Sequence, residues 1–342
     1  MNNPCADRQA LVFDLGGTCL RCGIWSSSNG INCLRRIKID SFLTASAPVV
    51  WANLMSHIQD YAKSVKNVVS LDSPVVISFP GPIKNRRWIL QAPTVLGGNW
   101  ELPDLGTEVE RCTGRKTYVL NDISAAAWYM SLRAPVSRFM IATVSSGIGS
   151  KVFDSHHPLG VMDSSPWAGE IGHLVVDPSS DAPLCDCGAS GHLGAISSGR
   201  GIERAARRSA HEEPGKFAQS ACASHFGATP STLNNEDHLV PAARLGDEWC
   251  LQVIRRATRP LVRVLLSVAV GAGLERVFII GGFALSLGSV YLQLLLEEVA
   301  DECSYSVLAP DVESLIELGL GCEDACLMGA GVFASQLLEN SA

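Results

Sequence analysis

Short apolar runs alternate with polar, glycine-containing turns at the start of the chain. Residues 11–15 and 20–25 are apolar runs separated by Gly16-Gly17-Thr18, which predicts two buried strands joined by a tight turn. A further run over residues 31–39 follows a turn that ends in Asn29-Gly30. Because an Asn-Gly pair between apolar runs is typical of a hairpin, we expect the chain to open on antiparallel strands.

The rest of the chain continues as alternating strands and helices. We predict strands over residues 74–79, 118–120, 138–144, 150–153 and 276–280, and helices over residues 49–65, 124–130, 242–271 and 324–337. Pro260 should kink or break the longest helix. A second hairpin, turning at Gly147-Ile148-Gly149, repeats the first one. Two hairpin-led halves indicate a duplicated α/β unit rather than one doubly wound sheet.

Composition narrows the class of protein. The 342 residues are 47% hydrophobic and 18% charged, enough for two compact lobes with their own cores. A net charge of -7 and the lack of a basic run argue against a nucleic-acid surface. The most apolar stretch, residues 261–273, is too short to span a bilayer, and no signal peptide is recognised. We expect a cytoplasmic protein that binds small molecules and neither nucleic acid nor membrane.

One group among the twelve cysteines has metal-ligand spacing. His173, Cys185, Cys187 and His192 follow the pattern H-x11-C-x-C-x4-H. Zinc prefers four nitrogen and sulfur ligands of this kind, so the segment predicts a structural Zn²⁺ site. A chance cysteine pair and a redox dithiol are the alternatives. We expect the other cysteines to be free thiols, since they are spread over a long chain.

The turns of the two hairpins are candidate phosphate loops. The first contains Asp14, Gly16, Gly17 and Thr18, and the second contains Ser146, Gly147 and Gly149. Glycine lets backbone N–H groups approach a phosphate, and Asp14 can bind Mg²⁺ directly or through water. Either loop alone could be a simple turn, whereas a pair can hold a polyphosphate from two sides. Gly281-Gly282 suits an adenosine against the backbone, or alternatively close helix packing.

Asn121-Asp122 lies where a strand gives way to a helix. A carboxylate at this position can accept the proton of an alcohol that attacks a γ-phosphorus. The alternative is a helix N-cap, for which Asp is among the best residues. The phosphate loops on either side in sequence favour the catalytic base.

With these residues assembled, the chain resembles the ROK family (repressors, open reading frames and kinases), which includes bacterial glucokinases, fructokinases, mannokinases and N-acetyl-sugar kinases. The matching segments are residues 14–18, 79–83, 121–122, 146–149, 168–173, 185–191, 198–199 and 281–282. The run Ala-Gly-Glu-Ile-Gly-His at 168–173, followed by Cys-x-Cys-Gly, is the most specific of them.

The resemblance implies an actin-like (ribonuclease H-like) α/β ATPase fold of two lobes, with ATP and sugar in the cleft between them. We expect an N-terminal lobe over residues 1–121, completed by the C-terminal helix at 323–342. A larger lobe over residues 122–322 would carry the zinc-binding loop. Family members are commonly dimers or tetramers, so the resemblance also implies a homo-oligomer.

The resemblance also implies roles for individual residues. Asp122 matches the catalytic base of the family, and Asn121, Asn99, Glu170 and His173 match residues that bind the sugar. His173 would also be a zinc ligand. Zinc would then hold the sugar-binding loop in place rather than take part in the chemistry.

Two positions depart from the family pattern Cys-x-Cys-Gly-x-x-Gly-Cys-x-Glu. His192 replaces the third cysteine, which still gives four zinc ligands, and Gly194 replaces the glutamate. Losing a charge-assisted hydrogen bond to the sugar would weaken binding by roughly 1.5–3 kcal/mol. Unless Glu203 or Asp163 substitutes, glucose should be a poorer substrate. The glycine would leave room for a modified hexose, such as kanosamine, or a C7 cyclitol of the valiolone type.

The sequence therefore predicts an ATP-dependent kinase that phosphorylates the primary hydroxyl of a hexose or hexose-like substrate. A plain glucokinase, a sugar-responsive ROK regulator and an inactive sugar-binding protein are the alternatives. The thirteen residues before Asp14 are too few for a helix-turn-helix domain. Because Asp14, Thr18, Asn121 and Asp122 are all present, an inactive protein is the weaker hypothesis.

Overall fold

The computed structural model describes residues 8–16, 19–41, 43–92, 95–97, 100–165, 167–303, 314–319 and 324–340. The described chain divides into two compact units. The first unit is drawn from Met1–Ala134, Leu159–Pro166 and Cys322–Ala342, and the second from Pro135–Pro158 and Trp167–Gly321.

Strands and helices alternate through both units. The strands are β1 (Gln9–Leu15), β2 (Cys19–Ser26), β3 (Gly30–Lys38), β4 (Val75–Phe79), β5 (Ile83–Lys84), β6 (Trp88–Ile89), β7 (Thr117–Asn121), β8 (Arg138–Val144), β9 (Ile148–Asp154), β10 (Arg276–Ile280) and β11 (Ile316–Leu318). The helices are α1 (Ala47–Ser64), α2 (Leu105–Thr113), α3 (Asp122–Ser131), α4 (Leu193–Ser197), α5 (Gly199–Glu212), α6 (Pro214–Gln219), α7 (Ala221–Ser224), α8 (Val240–Arg244), α9 (Glu248–Ala272), α10 (Gly282–Leu287), α11 (Ser289–Glu302) and α12 (Ala325–Asn340). Short helical turns lie at Ile171–His173 and Asn235–Leu239.

The first unit is built on a sheet in the order β3-β2-β1-β4-β7. The β1–β2–β3 meander is antiparallel, whereas β1, β4 and β7 are parallel to one another. Buried side chains of the sheet, such as Phe13, pack against Tyr61 of α1, with ring centroids 5.6 Å apart. The register pairs Asp14 of β1 with Ser78 of β4, and Phe79 of β4 with Asn121 of β7. The polar residues Asp14, Ser78 and Asn121 therefore lie near one another at the carboxyl ends of the three parallel strands.

The second unit repeats this arrangement with a sheet in the order β11-β10-β8-β9. The β8–β9 hairpin is antiparallel, and β10 and β11 run parallel to β8 and to each other. Its core joins the sheet to one face of α9, where Ile254, Leu261 and Leu265 are buried. The predicted duplication of a hairpin-led unit is therefore confirmed.

The predicted helix over residues 242–271 is divided, but not at Pro260: of the kink or break predicted there, the break does not occur. The division lies between α8 and α9, where the Asp247 side chain accepts a hydrogen bond from the backbone N–H of Cys250 at 2.9 Å and caps α9. Pro260 lies inside α9. Burial of Ala257 and Leu261 on either side of it offsets the hydrogen bond that proline cannot donate.

The C-terminal helix α12 packs on α3 and on strands of the first unit. The division of the chain falls after Ala134, so α3 lies with the first unit, whereas the sequence analysis placed the boundary at residue 121. The Trp25 indole of β2 donates to the Ser335 hydroxyl of α12 at 2.8 Å.

Among the described residues, none of the helices combines the length and the apolar character needed to cross a membrane.

Glycine allows α12 to approach its neighbours closely. A Cβ at Gly329 would lie 1.7 Å from the carbonyl oxygen of Ala125 in α3, and a Cβ at Gly331 would lie 2.2 Å from the Trp25 ring. Real atoms cannot approach so closely, so any side chain at Gly329 would push α3 away from α12. Because Asp122 begins α3, this contact also positions the predicted base.

We predict that Gly329→Ala lowers the free energy of unfolding by about 1–3 kcal/mol, because it overpacks the α3–α12 contact. Gly271→Ala is the matched control, since it makes the same change inside a helix where a Cβ meets nothing within 4 Å. The control should be stabilising by about 0.4–1 kcal/mol. Urea denaturation of both variants measures the difference, and equal effects would contradict the packing argument.

Candidate functional site

Asn121 and Asp122 form a hydrogen-bonded pair at the start of α3. The Asn121 amide Nδ2 donates to Asp122 Oδ1 and to the carbonyl oxygen of Gly81, each at 2.9 Å. The backbone N–H of Ile123 donates to Asp122 Oδ1 at 2.9 Å as well. Hydrogen bonds of this kind fix the orientation of a half-buried carboxylate at the amino end of a helix.

The structure also identifies the N-cap of α3. Asn121 has extended backbone angles, and its Oδ1 accepts from the N–H groups of Ile123 and Ser124 at 3.0 and 3.4 Å. Asp122 is the first residue inside the helix. The capping alternative considered for Asp122 from the sequence is therefore taken by its neighbour.

A half-buried cysteine, Cys326, lies close enough to Asp14 and Asp122 for both carboxylates to affect its thiol. The Cys326 thiol of α12 donates to the backbone carbonyl of Asp122 at 3.4 Å. Burial raises the pKa of the Cys326 thiol well above its ordinary value, and the charges of Asp14 and Asp122 add to the shift. Both carboxylates therefore act on the same thiol. Nothing in the sequence distinguishes Cys326 from the other cysteines, which number twelve in all and are scattered along the chain.

Asp14 is part of an ion-pair network at the end of β1. Arg21 Nη1 donates to Asp14 Oδ2 at 2.9 Å, and Arg21 Nε lies 3.5 Å from Asp324 Oδ1. Arg36 Nη2 reaches both oxygens of Asp324, at 3.0 and 2.9 Å. Burial raises the pKa of Asp14 above its ordinary value, and the positive charge of Arg21 opposes this shift. A Mg²⁺ ion at Asp14 would have to compete with Arg21.

The first phosphate loop is described only in part. Gly16 donates its N–H to the carbonyl oxygen of Cys19 at 2.8 Å, which closes the turn between β1 and β2. Gly17 and Thr18 lie outside the described residues, as does the predicted sugar contact Asn99.

The second phosphate loop borders a cavity of about 710 Å³. Ser145 and Ser146 line one part of it, and Gly282 and Phe283 at the start of α10 line another. The sequence analysis had assigned Ser146 and Gly282 to the nucleotide, and the structure places both on this cavity. Gly147 and Gly281 lie in the adjoining turns and Gly149 lies in β9, and none of the three is on the lining.

Several polar residues of this cavity were not assigned to a nucleotide site from the sequence, and Glu203 alone among them was considered, as a substitute for the family glutamate. They are Arg200, Glu203, Asn235, Glu236 and Arg244. Asn235 Nδ2 donates to the carbonyl oxygen of Gly199 at 2.8 Å, and its backbone N–H donates to Glu203 Oε2 at 3.1 Å. The Glu203 carboxylate also accepts from Arg207 at 2.8 Å. These contacts join α5 to the turn at Asn235–Leu239, a long-range pairing with no local signature in the sequence.

The loop that carries Glu170 and His173 rests on β9. The carbonyl oxygen of Gly169 accepts from the backbone N–H of Ser150 at 2.9 Å. A Cβ at Gly169 would lie 1.7 Å from the Ser150 oxygen, and a Cβ at Gly172 would lie 2.2 Å from the Ile148 oxygen. Only glycine permits this approach, which explains the two glycines of the Ala-Gly-Glu-Ile-Gly-His run. Glu170 and His173 are thereby held beside the second phosphate hairpin.

The four predicted metal ligands lie together in the second unit. Their ligand atoms are all within 4.8 Å of one another. His173 Nδ1 lies 3.4 Å from His192 Nδ1 and 4.0 Å from Cys185 Sγ, and Cys187 Sγ lies 3.3 Å from His192 Nδ1. Ligands bound tetrahedrally to zinc at about 2.0–2.3 Å are separated from one another by roughly 3.3–3.8 Å. The spacing and the two-nitrogen, two-sulfur donor set therefore fit Zn²⁺.

The surroundings of Gly194 modify one expectation from the sequence. A Cβ at this position would lie 3.1 Å from the carbonyl oxygen of Gly172, so the glycine relieves a tight contact rather than opening free space. The two acids considered as substitutes are engaged elsewhere. Asp163 accepts from the Ser124 hydroxyl at 2.9 Å, and Glu203 is held by Arg207 and Asn235.

Known proteins match this sequence over almost the whole chain. The ROK family pattern matches residues 11–336. The C(7)-cyclitol 7-kinase of Streptomyces hygroscopicus subsp. limoneus is 34% identical over 345 aligned residues, which cover 98% of this chain and 95% of that protein. The N-acetylmannosamine kinase of Escherichia coli O139:H28 is 30% identical over 297 residues, covering 85% of this chain and 88% of that protein.

A solved structure gives the same result for the fold. The ROK hexokinase from Thermus thermophilus superposes with a TM-score of 0.70 at 22% identity, covering 97% of this chain and 99% of that one. The predicted actin-like α/β fold and the predicted kinase class are confirmed. The chain belongs to the ROK family.

Proposed function

We propose that this protein transfers the γ-phosphoryl group of MgATP to the primary hydroxyl of a hexose-like polyol, with a C7 cyclitol as its preferred acceptor. The observation that carries the proposal is the 34% identity to a C(7)-cyclitol 7-kinase over nearly the full length of both chains. The ordered carboxylate of Asp122 at the start of α3 supplies the group that such a reaction needs.

Asp122 acts as the general base in this proposal. As the acceptor oxygen forms its bond to the γ-phosphorus, the bond from that phosphorus to the β,γ-bridging oxygen breaks and ADP leaves. The hydroxyl proton passes to the Asp122 carboxylate. Asn121 fixes the orientation of that carboxylate through its amide, and the Ile123 N–H holds the same oxygen. Positioning of this kind lowers the barrier because the proton acceptor is already aligned.

The nucleotide binds, in this proposal, at the cavity beside Ser145 and Ser146. Two hydroxyl groups and the cation of Arg200 lie on this side of the lining, where they can meet the negative charge of phosphates. Phe283 and Gly282 offer an apolar surface for the base on the lining formed by α10. The residues assigned to the nucleotide from the sequence, including Asp14 and Thr18, remain part of the proposal.

Zinc has a structural role in this proposal. Bound to His173, Cys185, Cys187 and His192, it would fix the loop that carries Glu170 by cross-linking it to the Cys185–His192 segment. Because His173 faces the cluster through Nδ1, the other edge of its ring is the one that can meet an acceptor hydroxyl. Glu170, His173, Asn121 and Asn99 are the proposed acceptor contacts.

The choice of a cyclitol over glucose depends on Gly194 and on the named relative. The family glutamate would accept hydrogen bonds from hydroxyls near the anomeric carbon. A carbocyclic ring has no ring oxygen and no anomeric centre. An acceptor of that class therefore loses less binding free energy than glucose does when the glutamate is absent. The close contact between residue 194 and Gly172 means that this preference comes from the lost carboxylate rather than from added space.

We predict that Asp122→Asn lowers kcat by at least about 10²-fold, because the proton acceptor is lost. Since Asn121 provides the cap and an amide oxygen at position 122 can still accept from the Ile123 N–H, the midpoint of urea denaturation should change little. Asp72→Asn, which alters an exposed carboxylate of the same unit, should leave kcat and the denaturation midpoint as they are. Coupled-enzyme measurement of ADP release gives kcat. Full activity in Asp122→Asn would contradict the assignment of the base.

We predict about one zinc ion per chain, which is lost in Cys187→Ser because a four-ligand site becomes a three-ligand site. Cys33→Ser, at an exposed cysteine of the other unit, should retain its zinc. Metal content is measured on gel-filtered protein by plasma emission spectrometry. The KM for the acceptor should rise in Cys187→Ser while the ADP affinity falls less. Zinc-free wild-type protein of unchanged stability would contradict the proposed site.

A further inference from the structure

Arg200 makes two contacts that join the segment of the predicted metal ligands (residues 173–192, the metal loop) to the second phosphate loop. Its Nε donates to the carbonyl oxygen of Ser146 at 2.9 Å, and its Nη1 lies 3.0 Å from Asp186 Oδ2. Asp186 is the residue between the two cysteine ligands, Cys185 and Cys187. A single guanidinium therefore contacts the middle of the metal loop and the edge of the nucleotide cavity.

The backbone of Arg200 is fixed by its neighbours. The N–H of Gly199 donates to the carbonyl oxygen of Ser145 at 2.8 Å, and the amide of Asn235 donates to the carbonyl oxygen of Gly199 at 2.8 Å. The Ser198 hydroxyl accepts from the N–H of Gly201 at 3.2 Å and caps α5. The side chain of Arg200 thus extends from a well-anchored helix start. The position of its guanidinium depends on its two acceptors, the Asp186 carboxylate and the Ser146 carbonyl oxygen.

The position of Asp186, in contrast, depends on the metal loop. The backbone N–H of Cys185 donates to the carbonyl oxygen of Ala189 at 2.7 Å, and that of Gly188 donates to the Cys185 carbonyl oxygen at 2.9 Å. These bonds shape a tight turn around Asp186 whose two cysteines point to the same cluster. An ion bound by both cysteine side chains would restrict this turn further, and with it the carboxylate that pairs with Arg200.

We propose that Arg200 and Asp186 couple metal binding to nucleotide binding, so that each ligand strengthens the binding of the other. This inference rests on the proposed function, since it takes the cavity beside Ser146 as the nucleotide site. The metal orders Asp186, Asp186 orients Arg200, and Arg200 holds the Ser146 carbonyl in the conformation that receives phosphates. The bound nucleotide, by fixing the same loop, holds Arg200 against Asp186 in return.

Thermodynamic linkage makes this coupling reciprocal. The factor by which nucleotide raises zinc affinity must equal the factor by which zinc raises nucleotide affinity. The side chains of Arg200 and Asp186 are 56% and 65% exposed, so solvent screens the pair. An exposed pair of this kind supports a coupling factor of about two- to fivefold. In this scheme Arg200 positions the Ser146 loop, in addition to the positive charge that it presents to the phosphates from the cavity lining.

The test compares zinc affinity with and without nucleotide in three proteins. Zinc dissociation constants are measured on the full chain by competition with a chromogenic chelator, with and without saturating ADP in excess Mg²⁺. The variants are Asp186→Ala, which removes the partner of Arg200 without touching the cavity, and Asp181→Ala, which removes an exposed charge from the same loop. Calorimetric titration of MgADP into zinc-loaded and zinc-depleted wild-type protein supplies the reciprocal factor.

We expect MgADP to raise the zinc affinity of the wild type and of Asp181→Ala by about two- to fivefold, and that of Asp186→Ala by a factor near one. The calorimetric factor should equal the chelator factor. MgADP binding without any change in wild-type zinc affinity would overturn the coupling alone, as would an undiminished factor in Asp186→Ala. A wild-type protein that binds no MgADP at all would overturn the proposed function and the coupling together.

Discussion

The proposed function depends first on the hydrogen bond between two adjacent side chains, Asn121 at the end of β7 and Asp122 at the start of α3. Asn121 caps α3, and Asp122 follows it with a carboxylate that accepts hydrogen bonds from the Asn121 amide and the Ile123 N–H. Asn121 provides the N-cap and Asp122 is the first residue of the helix, so capping does not depend on the carboxylate. The hydrogen bonds to Asp122 Oδ1 hold the carboxylate in a fixed orientation, as the proposed proton acceptor requires.

The rest of the first unit holds this arrangement in place. The parallel strands β1, β4 and β7 bring Asp14, the Phe79–Gly81 turn and Asn121 to one edge of the sheet, where their strands end. The close contact of Gly329 with Ala125 fixes α3 against α12, and the ion pairs of Asp324 with Arg21 and Arg36 fix the start of α12. The second unit uses glycine in the same way, because Gly169 and Gly172 allow the loop of Glu170 and His173 to lie on β9.

Much of this could be predicted from the sequence because the signals are local. Apolar runs predicted the hairpins, the H-x11-C-x-C-x4-H spacing predicted four side chains that lie together, and the position of Asn121-Asp122 after a strand indicated the candidate base. Contacts between distant segments gave no such signal. Cys326 lies 204 residues from Asp122 in sequence yet contacts its carbonyl, and the pairing of Arg200 with Asp186 joins a helix to a metal loop. Helix continuity through Pro260 likewise depends on tertiary burial rather than on local propensity.

In the proposed reaction the protein forms a phosphate ester on a primary hydroxyl of a hexose-like polyol. The most direct measurement incubates the protein with MgATP and a C7 cyclitol of the valiolone type, with glucose in a parallel reaction, and follows both by ³¹P NMR. We expect a phosphomonoester coupled to the two protons of the exocyclic methylene, formed faster on the cyclitol than on glucose. Phosphate on a ring carbon, faster reaction with glucose, or release of inorganic phosphate without any ester would contradict it.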